Sequence, residues 1–206
     1  MEKHTKPRYE FRIFGIDLEP YESKLKEAAV FEKSRTMQSV YILAAGNPDH
    51  NVKIRNGVMD IKILQDEHKG LELWNPFLVG AFPLKREVIK SVVFPSLGIS
   101  CPEMDKDEYP LDSFLQNLIA VDPDLSVAWV NKKRFGYNLN GCIAEIAEIT
   151  VNGAFIKTIC IESEIPEKVL ETKNIIGINP EIKNVNYPLA LKRIMGLVEL
   201  PDNWKG

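Results

Sequence analysis

Two glutamates stand two residues apart at the end of the run TICIESE, at Glu162 and Glu164. Side chains at positions i and i+2 of a β-strand point to the same face, so both carboxylates are directed at one region. Hard cations such as Mg²⁺ and Mn²⁺ take carboxylate oxygens as ligands. An ion held there would polarise a phosphoryl oxygen and orient a water. The spacing therefore predicts a metal site on this strand.

Basic residues occupy one face of a predicted hairpin, NVKIRNGVMDIKIL, residues 51 to 64. Its centre is Asn56-Gly57, and Asn-Gly between two alternating runs is typical of a type I′ turn. Such a turn fixes three cross-strand pairs, which are Arg55 with Val58, Lys53 with Asp60, and Asn51 with Lys62. Because opposed residues share a face, one side of the hairpin collects the charges of Lys53, Arg55, Asp60 and Lys62.

The same division into two faces recurs in two further parts of the chain. Residues 127 to 164 predict three strands, joined by turns at Asn140-Gly141 and Asn152-Gly153. One face of these strands is mainly apolar, and the other collects Lys132, Arg134, Glu145, Cys160, Glu162 and Glu164. In the first predicted strand, residues 8 to 14, Arg8, Glu10 and Arg12 again share a face.

Two interpretations of these charged faces remain open. An antiparallel sheet is commonly apolar on its inner side and polar on its solvated side, so the charges could simply face water. Alternatively, helices cover the apolar side of a curled sheet and the charged side lines a cavity. A cavity with both signs of charge suits a polyanion with its metal, because Arg binds phosphate as a fork and Lys as a point charge.

The remaining elements are predicted from periodicity and turn residues. Residues 18 to 33 have helical spacing, 35 to 44 predict a strand, and 71 to 89 are compatible with either. Helices are predicted at LDSFLQNLIAV, at 166 to 172 and at PLALKRIMGL, where Pro188 suits a first helical turn. We expect a single domain spanning residues 1 to 206.

Composition excludes several classes of function. The net charge is −3, without the basic excess expected of a nucleic-acid-binding domain. No apolar run is long enough to span a bilayer and no signal peptide is recognisable, so we expect a cytoplasmic protein. The three cysteines lack metal or redox spacing, and His4, His50 and His68 form no metal-ligand pair. There is no glycine-rich phosphate loop.

Four segments, in this order, resemble a known family: VKIRNGVMDIKIL, NKKRFGYNLNG, TICIESE and NYPLALKRIMGL. The family is the CYTH superfamily of triphosphate tunnel metalloenzymes, which includes class IV adenylate cyclases, thiamine triphosphatases and inorganic triphosphatases. The resemblance covers nearly the whole chain. It implies an α+β fold in which an antiparallel eight-stranded β-barrel forms a tunnel and helices pack on its outside.

The resemblance also implies roles for individual residues. The phosphate-binding residues would be Lys53, Arg55, Lys62, Lys132 and Arg134. The ligands of Mg²⁺ or Mn²⁺ would be Glu10, Glu145, Glu162 and Glu164, with Glu10, Glu162 and Glu164 also serving catalysis.

The first strand departs from the family pattern. Members begin with Glu-x-Glu-x-Lys, whereas RYEFR places Arg12 at the lysine, Glu10 at the second glutamate and Arg8 at the first. We therefore add Arg8 and Arg12 to the expected substrate-binding residues. Arg8 stands where the family has a carboxylate, and three consequences remain open. One metal ion is absent, one metal ion is shifted, or catalysis is abolished.

The expected function is metal-dependent hydrolysis of a small molecule that bears a triphosphate: inorganic triphosphate, thiamine triphosphate or a nucleoside triphosphate. The same groups would serve an adenylate cyclase, with a ribose hydroxyl in place of water as nucleophile. A non-catalytic module that binds polyphosphate or nucleotide is a third hypothesis, supported by Arg8. Neither a nucleic-acid duplex nor a membrane is expected as a partner, and the sequence leaves open a homodimer.

Overall fold

The computed structural model describes residues Lys6 to Pro201. The strands in this range are β1 (Arg8–Gly15), β2 (Val30–Ala44), β3 (His50–Arg55), β4 (Val58–His68), β5 (Leu71–Ala81), β6 (Leu84–Lys85), β7 (Glu108–Tyr109), β8 (Leu125–Leu139), β9 (Cys142–Val151) and β10 (Ala154–Ser163). The helices are α1 (Glu19–Ala28), α2 (Arg86–Val88, Ile89–Val93 and Phe94–Leu97, the middle part a π-helix), α3 (Leu111–Phe114 continuing as a π-helix at Leu115–Ile119), α4 (Pro166–Ile175) and α5 (Tyr187–Ile194). Of these helices, none combines the length and the apolar character needed to cross a membrane.

Eight strands form one closed antiparallel barrel in the order β1-β10-β9-β8-β2-β3-β4-β5, and β6 pairs with β7 in a separate two-stranded sheet. The helices pack on the outside of the barrel. The structure thus confirms the predicted fold, an antiparallel eight-stranded barrel surrounded by helices.

The predicted Asn-Gly turns are confirmed by the backbone. Asn56, Asn140 and Asn152 have φ of 51°, 56° and 48°, and the glycine that follows each also has positive φ, as a type I′ turn requires. The predicted pairs of the first hairpin follow, with Lys53 opposite Asp60 and Arg55 opposite Val58. Sequence reasoning missed a fourth turn of this kind, Lys69-Gly70, which joins β4 to β5.

Two predictions of secondary structure need correction. The helix expected over residues 18 to 33 ends at Ala28, because Ala29 is already extended at φ −109° and ψ 152°, and β2 starts at Val30 rather than at 35. The undecided stretch from 71 to 89 contains strand β5, then β6, and then the first turns of α2.

The contacts between residues divide the chain into two compact units. Unit 1 comprises the described parts of Met1–Gln38, Leu64–Asn75 and Val130–Asn186. Unit 2 comprises Ser39–Ile63, Pro76–Trp129 and the described part of Tyr187–Gly206.

Unit 1 has an apolar core on the outer side of β1, β8, β9 and β10. Strand residues such as Phe11, Ile146 and Ile161 pack there against Leu25 of α1 and Val169 of α4. Burying an aliphatic or aromatic side chain of this size stabilises a fold by about 1.5–3 kcal/mol. Since successive strand residues point to opposite faces, this core forces the alternate residues of the same strands to the inner side.

Unit 2 is built in the same way from β2, β3 and β4. Val52, Ile54 and Met59 pack against helices α2 and α3, with Phe94 and Phe114 fully buried among them. The charged residues of the first hairpin therefore lie on its inner side as well.

Candidate functional site

The inner side of unit 1 is ionic. Four neighbouring barrel strands, β1, β10, β9 and β8, direct alternating charged side chains to this side, and β5 adds one more. The acidic side chains are Glu10, Glu72, Glu145 and Glu162, and the basic ones are Arg8, Arg12, Lys132 and Arg134.

Glu145 on β9 is the centre of a cluster of cations. Its Oε1 lies 2.5 Å from Lys132 Nζ and 3.3 Å from Arg12 Nη1, and its Oε2 lies 2.5 Å from Arg134 Nε. The side chain is nearly fully buried, and burial alone would raise its pKa. The charges of Lys132, Arg12 and Arg134 outweigh burial and hold the pKa of Glu145 at about 2. Three cations sharing one carboxylate leave this cluster positive.

Arg12 joins that cluster to a second, acidic group of side chains. Its Nε donates to Glu10 Oε1 at 2.8 Å, while its Nη1 reaches Glu145 Oε1 and Thr158 Oγ1 at 3.3 and 3.4 Å. The residue is 3% exposed. A guanidinium presents five donors in a planar fork, so it can bridge two carboxylates and remain rigid.

The acidic group is a row of three glutamates on adjacent strands. Glu10 on β1 pairs in register with Glu162 on β10 on one side and with Glu72 on β5 on the other. Directly opposed residues bring their side chains within reach of one another. Arg8 Nη1 lies 3.7 Å from Glu162 Oε2.

Glu72 is held from outside the row by two neutral donors. Trp74 Nε1 donates to its Oε2 at 2.9 Å, and Asn186 Nδ2 donates to its Oε1 at 3.0 Å. Burial raises the pKa of Glu72, and the nearby charge of Glu10 adds to the rise, while the two hydrogen bonds oppose it. A positive ion placed beside this row of carboxylates would therefore be stabilised.

The donor set next to this row fits a divalent cation. Within Lys6–Pro201, Glu10, Cys160 and Glu162 bring one ligand atom each to within 4.8 Å of one another. Two carboxylates are enough to anchor an ion that completes its shell with water and substrate phosphate, as Mg²⁺ commonly does. Of the predicted metal ligands, the structure brings Glu10 and Glu162 together in this group.

The other two predicted metal ligands lie elsewhere. Glu145 is surrounded by the cations described above. Glu164 follows the last residue of β10, is about half exposed and pairs with Lys6 at 3.3 Å. The i, i+2 spacing of Glu162 and Glu164 was the starting point of the prediction, but the barrel strand ends between them, at Ser163.

Unit 2 has its own ionic cluster on the inner side of the first hairpin. Lys53 Nζ lies 3.1 Å from Asp60 Oδ2, and Arg55 Nη2 lies 3.7 Å from the same oxygen. Lys53 is 6% exposed, and burial lowers its pKa to about 8 against the opposing charge of Asp60. Lys62, the third predicted phosphate ligand here, pairs in register with Asn51. Beside Lys53 in register, Tyr41 stacks on Tyr187 of α5 with ring centroids 5.7 Å apart.

Sequence reasoning missed two residues of the unit 1 site. Cys160 was placed on the charged face, but the spacing of the cysteines predicted no metal site. Glu72 was overlooked because it lies in the apolar run LELWNPFLVGA, whose secondary structure was undecided. The alternation of Glu72 and Trp74 with Leu71 and Leu73 was the available signal, and it required recognising β5 as a strand.

No protein-family model and no curated protein matches this sequence. Among solved structures, the chain is similar to the putative adenylyl cyclase HpAC1 from Hippeastrum, described as having a dominant triphosphatase activity, with 15% identity, a TM-score of 0.51, and 92% of this chain and 96% of that chain covered. At this identity the likeness concerns the fold alone.

Two further solved structures match this chain with lower TM-scores. A conserved hypothetical protein from Pyrococcus furiosus has 21% identity, a TM-score of 0.49, and coverage of 89% of this chain and 99% of that chain. A putative adenylate cyclase from Bacillus halodurans has 10% identity, a TM-score of 0.46, and coverage of 88% and 95%.

Proposed function

We propose that this protein is a metal-dependent hydrolase that cleaves a terminal phosphoanhydride of a small molecule bearing a triphosphate. The observation that carries the proposal is the bridge made by Arg12, which joins the acidic row at Glu10 to the cation cluster at Glu145. A metal-binding group, which includes Glu10, thereby lies next to a phosphate-binding group, the cations around Glu145. The adenylyl cyclase neighbour with a dominant triphosphatase activity supports testing this chemistry first.

The metal ligands in this proposal are Glu10 and Glu162, and the expected ion is Mg²⁺ or Mn²⁺. A bound ion neutralises charge on phosphate oxygens and activates water. Glu10 is oriented for this role by the donated hydrogen bond from Arg12 Nε. Such a second contact fixes the direction of a carboxylate and is important for metal affinity.

The phosphate ligands in unit 1 are Arg12, Lys132 and Arg134, with Arg8 beside the metal ligands. Glu145 is a positioning residue: it holds three cations in place without neutralising all of them. Preorganised cations stabilise the charge that develops on a transferring phosphoryl group. Lys53, Arg55 and Lys62 in unit 2 stay predicted phosphate ligands, and substitutions in that unit test them independently.

The first experiment measures which product is released from tripolyphosphate, thiamine triphosphate and ATP with Mg²⁺ or Mn²⁺. Release of orthophosphate supports the hydrolase. Pyrophosphate together with a cyclic nucleotide from ATP would instead support the cyclase.

The binding module is favoured by one observation, the ion pair of Arg8 with Glu162, because a guanidinium there competes with a metal ion. Tripolyphosphate that raises the melting temperature without being cleaved under any of these conditions would establish binding without catalysis.

A matched pair of variants tests the phosphate-binding group around Glu145. Lys132 and Lys133 are neighbours on β8, but Lys132 points to Glu145 and Lys133 is about half exposed and faces Glu148. Charge-assisted hydrogen bonds contribute about 1.5–3 kcal/mol, so Lys132→Gln should raise KM for tripolyphosphate about tenfold or more. Lys133→Gln should leave KM within about twofold. Equal effects of the two variants would remove Lys132 from the site.

A further inference from the structure

Cys160 is a buried thiol in an ionic environment. It is fully buried on the inner side of β10, where its register partners are Arg12 on β1 and Glu145 on β9. Its Sγ lies 3.6 Å from Glu162 Oε1, within the range of a hydrogen bond from sulfur. A free cysteine usually behaves as a small apolar side chain and packs among others. Here charged groups surround it instead.

The thiol is directed at the two carboxylates proposed as metal ligands. Glu162 is two residues further along the same strand face, and Glu10 is the cross-strand partner of Glu162. The sulfur and the two carboxylates lie within 4.8 Å of one another. Ligands around a tetrahedral ion with metal–oxygen and metal–sulfur bonds of ordinary length are separated by roughly 3.5 Å, so small side-chain movements would bring these three to one ion.

We propose that Cys160 joins Glu10 and Glu162 as a third ligand, and that the resulting metal centre selects a thiophilic divalent ion, with Zn²⁺ as the best fit, in place of the Mg²⁺ or Mn²⁺ expected for two carboxylates alone. Mg²⁺ requires oxygen ligands in near-octahedral geometry, whereas thiolate favours softer ions. Three protein ligands leave the fourth tetrahedral position open to a water or a phosphate oxygen, as in catalytic zinc sites. The proposal rests on the proposed function for the position of the ion, and it replaces the identity of the ion.

The charges around the cluster match this assignment. Zn²⁺ with one thiolate and two carboxylates has a net charge of about −1. The Arg12 guanidinium at Glu10 and the Arg8 guanidinium near Glu162 lie where they compensate that charge.

Cys142 provides an internal control. It is as deeply buried as Cys160, but it belongs to the apolar core of unit 1, and its sulfur accepts a hydrogen bond from Thr172 Oγ1 at 3.3 Å. No carboxylate group of the described residues is assembled around Cys142. The two cysteines therefore differ in their neighbours and not in their burial.

Cobalt titration of the metal-free full chain tests the proposal. Co²⁺ occupies zinc sites, and ligation by a thiolate produces a charge-transfer band in the near ultraviolet. We expect this band in the unmodified protein and in Cys142→Ser, and its loss in Cys160→Ser. Zn²⁺ should displace Co²⁺ at one equivalent, while a large excess of Mg²⁺ should not. Affinity for Zn²⁺ should fall about tenfold or more in Cys160→Ser.

A second variant covers the case in which Cys160→Ser does not fold. Cys101→Ser/Cys142→Ser leaves Cys160 as the single thiol, since the chain has three cysteines. X-ray absorption of its zinc complex should show one sulfur at about 2.3 Å together with oxygen ligands. A shell of oxygen and nitrogen alone, or a cobalt band that persists in Cys160→Ser, would overturn the proposal.

The cobalt–thiolate band and triphosphate cleavage test the metal centre and the proposed hydrolase separately. A cobalt–thiolate band without cleavage of any triphosphate would keep the metal centre and remove the hydrolase. Cleavage supported by Mg²⁺ without a cobalt–thiolate band would keep the hydrolase and remove the role of Cys160.

Discussion

Glu145 determines how the ionic residues of unit 1 are held. A single carboxylate between Lys132, Arg12 and Arg134 fixes three long side chains that would otherwise lose considerable rotamer entropy on binding a ligand. Its burial is tolerated because each oxygen is paired with a cation. The protein itself therefore holds these three cationic side chains in one arrangement.

This arrangement predicts a specific dependence of stability on pH. The pKa of Glu145 is lowered from 4.5 to about 2 in the folded protein. Its contribution to the free energy of unfolding is therefore fully present above about pH 5 and is lost as pH falls towards 2, because the unfolded chain takes up the proton first. Glu145→Gln removes the negative charge that Lys132, Arg12 and Arg134 share, so we expect a loss of about 3–5 kcal/mol at pH 7.

Urea unfolding of the unmodified protein and Glu145→Gln at pH 7, 4 and 3 measures the difference. It should shrink steadily as the pH is lowered. A difference that is the same at pH 7 and pH 3 would show that the carboxylate of Glu145 is not ionised between these cations.

The hairpins are the elements that the sequence predicts best. Asn-Gly turns and strict alternation determine the register locally. The three pairs predicted for the Asn56-Gly57 hairpin are those of the structure, and β8 pairs with β9 across the predicted Asn140-Gly141 turn. The start of β2 was misplaced because helical spacing continues into residues that the chain uses as a strand. Propensity and periodicity overlap at such a boundary, and tertiary pairing decides it.

The turn between β3 and β4 provides a test of the backbone conformation that the hairpin requires. Gly57 has φ of +69° with no neighbouring atom within 4 Å of an added Cβ, so substitution there costs backbone strain alone. Gly57→Ala should lower the free energy of unfolding by about 1–2 kcal/mol. Gly46 also has open space, but its φ lies outside the left-handed region, so Gly46→Ala should be neutral or slightly stabilising.

Thermal or urea unfolding of the two glycine variants provides the comparison. Equal effects would mean that Gly57 does not require its left-handed conformation.

The acidic row exists only because the barrel closes. Strand β1 pairs with β5 as well as with β10, and this closure places Glu72 next to Glu10 although 61 residues separate them along the chain. No local pattern in the sequence contains that contact. The cation cluster, by contrast, lies largely on the consecutive strands β8 and β9, and both Lys132 and Glu145 could be placed on one face in advance.

Release of orthophosphate from tripolyphosphate by Glu162→Gln and Glu164→Gln, compared across divalent ions, tests the account most directly. The two residues are chemically identical and two positions apart, but only Glu162 lies within the barrel strand beside Glu10. A bound metal contributes several kcal/mol to catalysis, so Glu162→Gln should lower kcat/KM about 100-fold or more. Glu164→Gln should stay within about twofold. Equal losses in the two variants, or full activity in Glu162→Gln, would contradict a metal site formed by Glu10 and Glu162 inside the barrel.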